Sequence, residues 1–283
     1  MAPKVDPQNL RKTFGRFRVL IVGRANAGKT TILQKVCNTT EKPEIYNAKG
    51  DKVCDMFCTM RRRGKHDITN EMVFKSNPGF VFHDSCGFEA GSVGEFEDMK
   101  KFIAERANTT KLEERIHAVW YCIPMDDHCR TFQRSEEKFF SECDTGHVPV
   151  IVVFTKFDAL HPVAFGELEE QLIGLSQEEC LKRIDECVEE LFTSTGVLDR
   201  LYAPENLARP KCYVRLQSEL FSPRLICLVC KLTWVIRDMD EVDTGCDTLL
   251  ENTTFALDDK ELCLCLVSTQ QSNLELCIKC AIE

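Results

Sequence analysis

Unbroken apolar runs punctuate this chain, and between them apolar positions recur every three or four residues. "RFRVLIVG" (16–23), "HAVWYCIPM" (117–125) and "VPVIVVFTKFD" (148–158) read as buried strands. "ITNEMVF" (68–74) alternates and reads as a further strand, and "SNPG" (76–79) turns the chain into "FVFHDS". Directly after the first run, "KTTILQKVCN" places Ile32, Leu33 and Val36 at helical spacing. Further helical stretches cover about 94–115, 134–142 and 176–193. Residues 37–66 are polar and irregular. Continuous apolar strands alternating with helices predict an α/β fold: a mostly parallel central sheet with helices on both faces. Beyond Leu216 the pattern falters. It resumes with a helix near 247–256, a strand "LCLCLVS" (262–268) and a closing helix over 272–282. No repeat and no dividing linker interrupts it, so residues 1–15 read as a tail and 16–283 as one domain.

Composition narrows the class without naming a function. The chain has 283 residues, 43% of them hydrophobic, which suffices for a full core. A net charge of −9 argues against a nucleic-acid partner held by phosphate contacts. The one basic run, Arg61-Arg62-Arg63 with Lys65, reads as a solvated loop, with docking as the alternative. The first residues lack the apolar core of a secretory signal. The most apolar window, "LICLVCKLTWVI" (225–236), is too short to span a bilayer and carries Lys231. The terminal "CAIE" ends in Glu, an atypical prenylation residue. A soluble, cytoplasmic protein with no membrane span is the expectation. Seventeen cysteines, an odd number lying mostly in apolar runs, point to buried thiols rather than a disulfide framework. Two CxxC pairs, Cys227/Cys230 and Cys277/Cys280, lie far apart for a zinc ribbon and lack a Gly-rich knuckle.

Candidate chemistry starts at "GRANAGKT" (23–30), a G-x-x-x-x-G-K-[ST] string between a strand and a helix. In that setting Gly23 and Gly28 let the backbone curl, so that successive N–H groups face inward and bind phosphates at a helix N-terminus. The candidate nucleotide-binding stretch is Gly23, Arg24, Ala25, Asn26, Ala27, Gly28, Lys29, Thr30 and Thr31. Lys29 supplies a charge for β- and γ-phosphates, and the Thr30 hydroxyl is a ligand for Mg²⁺. "HDSCG" (83–87) places Asp84 at a strand tip, where it can hold Mg²⁺ through water, and Gly87 where its N–H can meet a γ-phosphate. "TKFD" (155–158) closes another buried strand with Thr155, Lys156 and Asp158. A carboxylate there can accept from guanine N1–H and N2–H₂, donors that adenine lacks. The alternative is a surface ion pair between Lys156 and Asp158.

"GRANAGKT", "DSCG" and "TKFD" resemble the first, third and fourth motifs of small-GTPase G domains, in that family's order and on its elements. The resemblance runs from about Phe17 to Glu283. In wording such as "FHDSCGFEAG" and "VSTQQSNLELCIK" it is closest to a group of fungal G-domain proteins. It implies the P-loop NTPase G-domain fold, binding of GTP and GDP with Mg²⁺, and an effector or regulator protein as partner. It also implies a base contact at "VSTQ" (267–270), through Ser268 and Thr269. A second-motif threonine coordinating Mg²⁺ is assigned to Thr59, with Thr69 the alternative. There are departures. Thr155 stands where the family has Asn, and Phe88 follows DxxG where Ras-like proteins have a water-orienting Gln; Glu89 is the substitute to consider. The loop is similar to that of Era-like and MnmE-like GTPases, which implies potassium beside Asn26; the alternative is that Asn26 only braces the loop. Compared with the fungal proteins, 218–237 is a candidate insertion, either an extra element over a sheet edge or sequence foreign to the native chain. The reading is a slow GTPase acting as a switch. The rival is a nucleotide-binding interaction module without turnover.

Overall fold

The computed structural model describes residues 15–53, 67–85, 93–216 and 246–269. In chain order its elements are β1 (Phe17–Gly23), α1 (Lys29–Val36), β2 (Glu44–Tyr46), β3 (Glu71–Phe74), β4 (Asn77–Asp84), α2 (Val93–Ala107), β5 (Ala118–Pro124) and α3 (Arg134–Glu142). There follow β6 (Val150–Thr155), α4 (Leu160–Leu168), α5 (Gln177–Ser194), α6 (Val197–Leu201), β7 (Cys212–Arg215), α7 (Cys246–Ala256) and α8 (Lys260–Thr269). The strands form one sheet in the order β2-β3-β4-β1-β5-β6-β7. From β4 to β7 every pairing is parallel, whereas β2 and β3 pair antiparallel at one side. The architecture is therefore α/β, a largely parallel mixed sheet flanked by helices.

Alternation along the strands explains why both faces need covering. In β1, Phe17, Val19 and Ile21 face one layer, which α1, α7 and α8 close with Ile32, Leu33, Leu249 and Leu266. Leu20 and Val22 face the other, closed by α2, α3 and α5 with Phe96, Ile103, Phe139, Phe140 and Phe192. Period-two side chains on a strand buried on both sides read as a continuous apolar run. The second layer is aromatic-rich: Tyr121 packs on Phe139 and Phe140 at centroid distances of 4.6 and 4.9 Å. On the first layer, buried Trp120 donates its Nε1–H to Thr253 Oγ1 at 3.0 Å, fixing α7 to β5. Among the described residues, ten cysteines are thiols with no disulfide. Burial pushes Cys37, Cys122, Cys143 and Cys265 up to about 12.

Two expectations fail in instructive places. The strand expected over 262–268 is instead α8, whose buried residues include Leu262, Cys265, Leu266 and Thr269, the i, i+3, i+4, i+7 series of a helix face. The helix expected over 94–115 ends at Ala107, and a 3₁₀ turn at Leu112–Glu114 leads into β5. Strands β2 and β7 are additional to those read from the sequence.

Candidate functional site

Because β4, β1, β5 and β6 are parallel, their carboxyl ends open on one edge of the sheet. After β1 the chain goes to the far edge at β2 and builds inward through β3 to β4; after β4 it crosses β1 and builds outward through β5, β6 and β7. Loops leaving β1 and β5 therefore diverge. Such a switch point is where open α/β sheets leave a crevice for a ligand.

The 23–30 loop sits at that point. Gly23 closes β1 beside Cys122 of β5 with φ 149°, and a Cβ there would stand 2.6 Å from the Cys122 carbonyl oxygen. Only glycine lets the two strands approach so closely. Asn26 and Gly28 adopt left-handed φ of 61° and 78°, and Ala27 N–H donates to the Arg24 carbonyl at 3.2 Å. Gly28 precedes α1, no side chain caps that helix, and no acidic residue occupies its first turn. Backbone donors at the positive end of a helix dipole suit an anion. Lys29, only 9% exposed, folds back over the loop. Its Nζ donates to the carbonyls of Gly23 (2.7 Å) and Arg24 (3.1 Å) and stands 3.9 Å from Asp84 Oδ1. Thr30 and Thr31 are exposed on the first turn of α1.

The end of β6 joins the same edge. Thr155 is buried and its Oγ1 donates to the Ala27 carbonyl at 3.0 Å, so the hydroxyl ties loop to strand. Lys156 takes a left-handed φ of 54° and its ammonium pairs with Asp126, at 2.5 Å, rather than with Asp158. Asp158 is 3% exposed, inside the 3₁₀ turn Phe157–Ala159. That turn is anchored just past the end of β7: Phe157 N–H donates to the Leu216 carbonyl at 3.0 Å. The Arg215 guanidinium lies 4.7 Å from the Phe157 ring and is itself held by Glu189.

A cleft of about 330 Å³ opens between these loops, lined by Arg24, Ala25, Asn26, Pro124, Asp126, Gln133, Ser135 and Lys156. It lies on the α3 side of the loop; Lys29, Thr30, Asp84 and Asp158 are not among its walls. Sequence reasoning passed over Asp126, Gln133 and Ser135, and over Glu136 behind them. Glu136 is fully buried, accepts from Gln133 N–H and Ser135 Oγ–H at 2.9 Å each, and faces Arg24 Nε at 3.1 Å. Gln133 with Glu136 three residues on is a capping-box spacing, the one signal that could have flagged them.

Ser268 and Thr269 are not brought to this edge. Their hydroxyls donate to the Cys265 and Leu266 carbonyls of their own helix. The Thr269 carbonyl accepts from Asn77 Nδ2 at 3.0 Å, at the start of β4, whereas Asp84 ends that strand at the site edge. Helix formation over 260–269 is the physical reason the expected base contact is absent from the site. Gly87 and Thr59 lie outside the described residues. So do Phe88, Glu89, the Arg61–Arg63 run, both CxxC pairs, 218–237 and the helix expected over 272–282. Among the described residues, no group of three or more His, Cys, Asp or Glu is placed to hold a metal ion. No helix among them is long and apolar enough to cross a membrane.

No protein-family profile matches the chain, and no curated protein is similar to it. Among solved structures, one described as a crystal structure of a mutation variant of SsGBP is similar at 15% identity with a TM-score of 0.31. The match covers 79% of this chain and 58% of that one, so the chain spans less than two thirds of that protein's length.

Proposed function

We propose that this chain is a guanine-nucleotide-binding protein with a P-loop G-domain fold, which binds GTP and GDP with Mg²⁺ and hydrolyses GTP slowly as a conformational switch. The observation that carries the proposal is convergence: residues 23–30, Asp84 and 155–158 are far apart in sequence and meet at one strand edge, joined by the Thr155–Ala27 and Lys29–Asp84 contacts. In this reading the N–H groups of the loop and of the first turn of α1 bind the phosphates, and Lys29 exchanges its carbonyl partners for phosphate oxygens. Asp158 accepts from the guanine edge. Thr30, exposed at the helix start, and Asp84, at the strand tip, are hard oxygen donors of the kind Mg²⁺ takes, and would hold it. Bound there, the ion neutralises charge on the phosphates. Asn26, exposed and left-handed, is the residue through which potassium would act. A protein effector or regulator is implied by the switch reading. Chromatography of nucleotide released from the denatured purified protein tests the proposal: it should yield GDP or GTP. Adenine nucleotide, or none even after loading with GTP, would contradict it. Phosphate release under single-turnover conditions separates a hydrolase from a binding module without turnover.

A further inference from the structure

One segment touches both halves of the site while contributing none of the assigned nucleotide-binding residues. It runs from Asp126 to Glu136, between β5 and α3. At its start, Met125 N–H donates to the Thr155 carbonyl at 2.9 Å, and the Asp126 carboxylate holds the Lys156 ammonium. At its end, the Thr131 carbonyl accepts from Arg24 Nη2 at 3.3 Å and Glu136 faces Arg24 Nε. Between those ends the segment is stitched to itself. Arg130 N–H donates to Asp127 O at 2.9 Å, Thr131 Oγ1 donates to His128 O at 2.8 Å, and the capping box closes the first turn of α3. A short piece so braced moves as a unit.

Arg24 is where such movement reaches the phosphate loop. Its carbonyl accepts from both Lys29 Nζ and Ala27 N–H, so it fixes the ammonium and the curl together. Its side chain leaves the loop and runs along the cleft towards α3, where its Nε meets a carboxylate with no solvent exposure. The 3.1 Å approach of Nε and Oε1 lacks hydrogen-bond alignment. An ion pair buried in that way recovers little beyond its desolvation penalty, so stability alone does not account for it. Asp126, Asp127, Cys129 and Arg130 are exposed on the same segment, which gives it an outward face.

We propose that segment 126–136 is the lever that sets how fast this site releases nucleotide, acting through Glu136 on Arg24 and through Asp126 on Lys156. The proposal rests on the guanine-nucleotide reading above. Both Arg24 and Glu136 are positioning residues here: neither side chain is required to touch the ligand. By linkage, whatever displaces the 126–130 turn weakens nucleotide binding, and bound nucleotide resists that displacement to the same degree.

The test measures release of a fluorescent GDP analogue together with the thermal unfolding midpoint, in wild type, Arg24→Met/Glu136→Gln and Asp126→Asn. The double variant removes both charges of the pair, while the glutamine amide oxygen still accepts from Gln133 N–H and the Ser135 hydroxyl. It should unfold within a few degrees of wild type yet release nucleotide about ten-fold faster, a coupling of ordinary allosteric size. A folded double variant that releases at the wild-type rate overturns the lever, since a structural pair would leave release untouched. If the double variant does not fold, Asp126→Asn decides in its place. That exposed pair is not needed for folding, and its loss should speed release about two- to three-fold; an unchanged rate overturns the lever. A wild-type protein that binds no guanine nucleotide overturns the functional reading and the lever with it.

Discussion

Thr155→Val probes the joint between the 23–30 loop and the 155–158 turn with almost no change of shape. The side chain is 4% exposed and its hydroxyl donates to the Ala27 carbonyl at 3.0 Å. Valine keeps the volume but removes the donor, leaving that buried carbonyl short of a partner. The cost is about 1–2 kcal/mol. At about 2–4 °C per kcal/mol for a domain of this size, the unfolding midpoint should fall by roughly 2–8 °C. Thr155→Ser makes the complementary cut, keeping the donor and removing a methyl worth about 1 kcal/mol. The two variants should thus be similarly destabilised yet differ in ligand binding. Without its tie the loop no longer has one preferred curl, and GDP affinity in the valine variant should drop about ten-fold, equivalent to 1.4 kcal/mol. Serine should bind within about two-fold of wild type, because the tie survives. Calorimetric titration with GDP, alongside thermal melts, reads both quantities. A valine variant that binds GDP like wild type, or a serine variant weakened to the same extent, would refute the role given to the hydroxyl.

Three further outcomes follow from the same geometry. Lys29→Ala should remove most nucleotide affinity while the fold, read by circular dichroism, stays intact; near-normal GDP binding by the folded variant would sink the phosphate-loop assignment. Burial, with Arg18 nearby, lowers His83 and His117 from 6.5 to about 4, so both are neutral in the folded chain. The unfolded chain takes up their protons first, so stability is full above pH 6.5 and falls as pH drops towards 4, by about 1.4 kcal/mol per pH unit for each histidine. Urea melts at pH 7.5 and 5.5 should differ by about 3 kcal/mol, and equal stabilities would contradict that burial. Replacing sodium by potassium at equal ionic strength should accelerate phosphate release in wild type but not in Asn26→Ala, and identical wild-type rates would exclude the ion.

How much was legible in advance depended on what each segment buries. Residues 17–23, 118–124 and 150–155 are covered on both faces, so nearly every position is apolar, Arg18 and Thr155 excepted, and the strands stand out of the sequence. The four-residue β7, with Tyr213 and Arg215 only partly buried, offers too few positions for a period to show. In "LCLCLVS" the opposite problem arises. Apolar side chains occur all round α8, Leu264 being exposed, so the same letters fit both a strand run and the helical series that the fold adopts. The site followed the same logic. Glycines and a lysine at fixed spacing announce the 23–30 loop because backbone conformation dictates them. Asp126 carries no such mark, and Glu136 only its capping-box spacing from Gln133. Their place beside the 23–30 loop comes from the switch point between β1 and β5, which only the order of strands in the sheet creates.

Competition titration of wild type and Asp158→Asn with GDP, ADP and xanthosine diphosphate tests the central claim most directly. Wild type should bind GDP at least about a hundred-fold more tightly than ADP, because a carboxylate that accepts from guanine N1–H and N2–H₂ finds no such donors on adenine. The asparagine variant should weaken towards GDP and strengthen towards xanthosine diphosphate, whose O2 can accept from an amide. Equal wild-type affinity for GDP and ADP, or a variant whose preference does not move, would contradict the account.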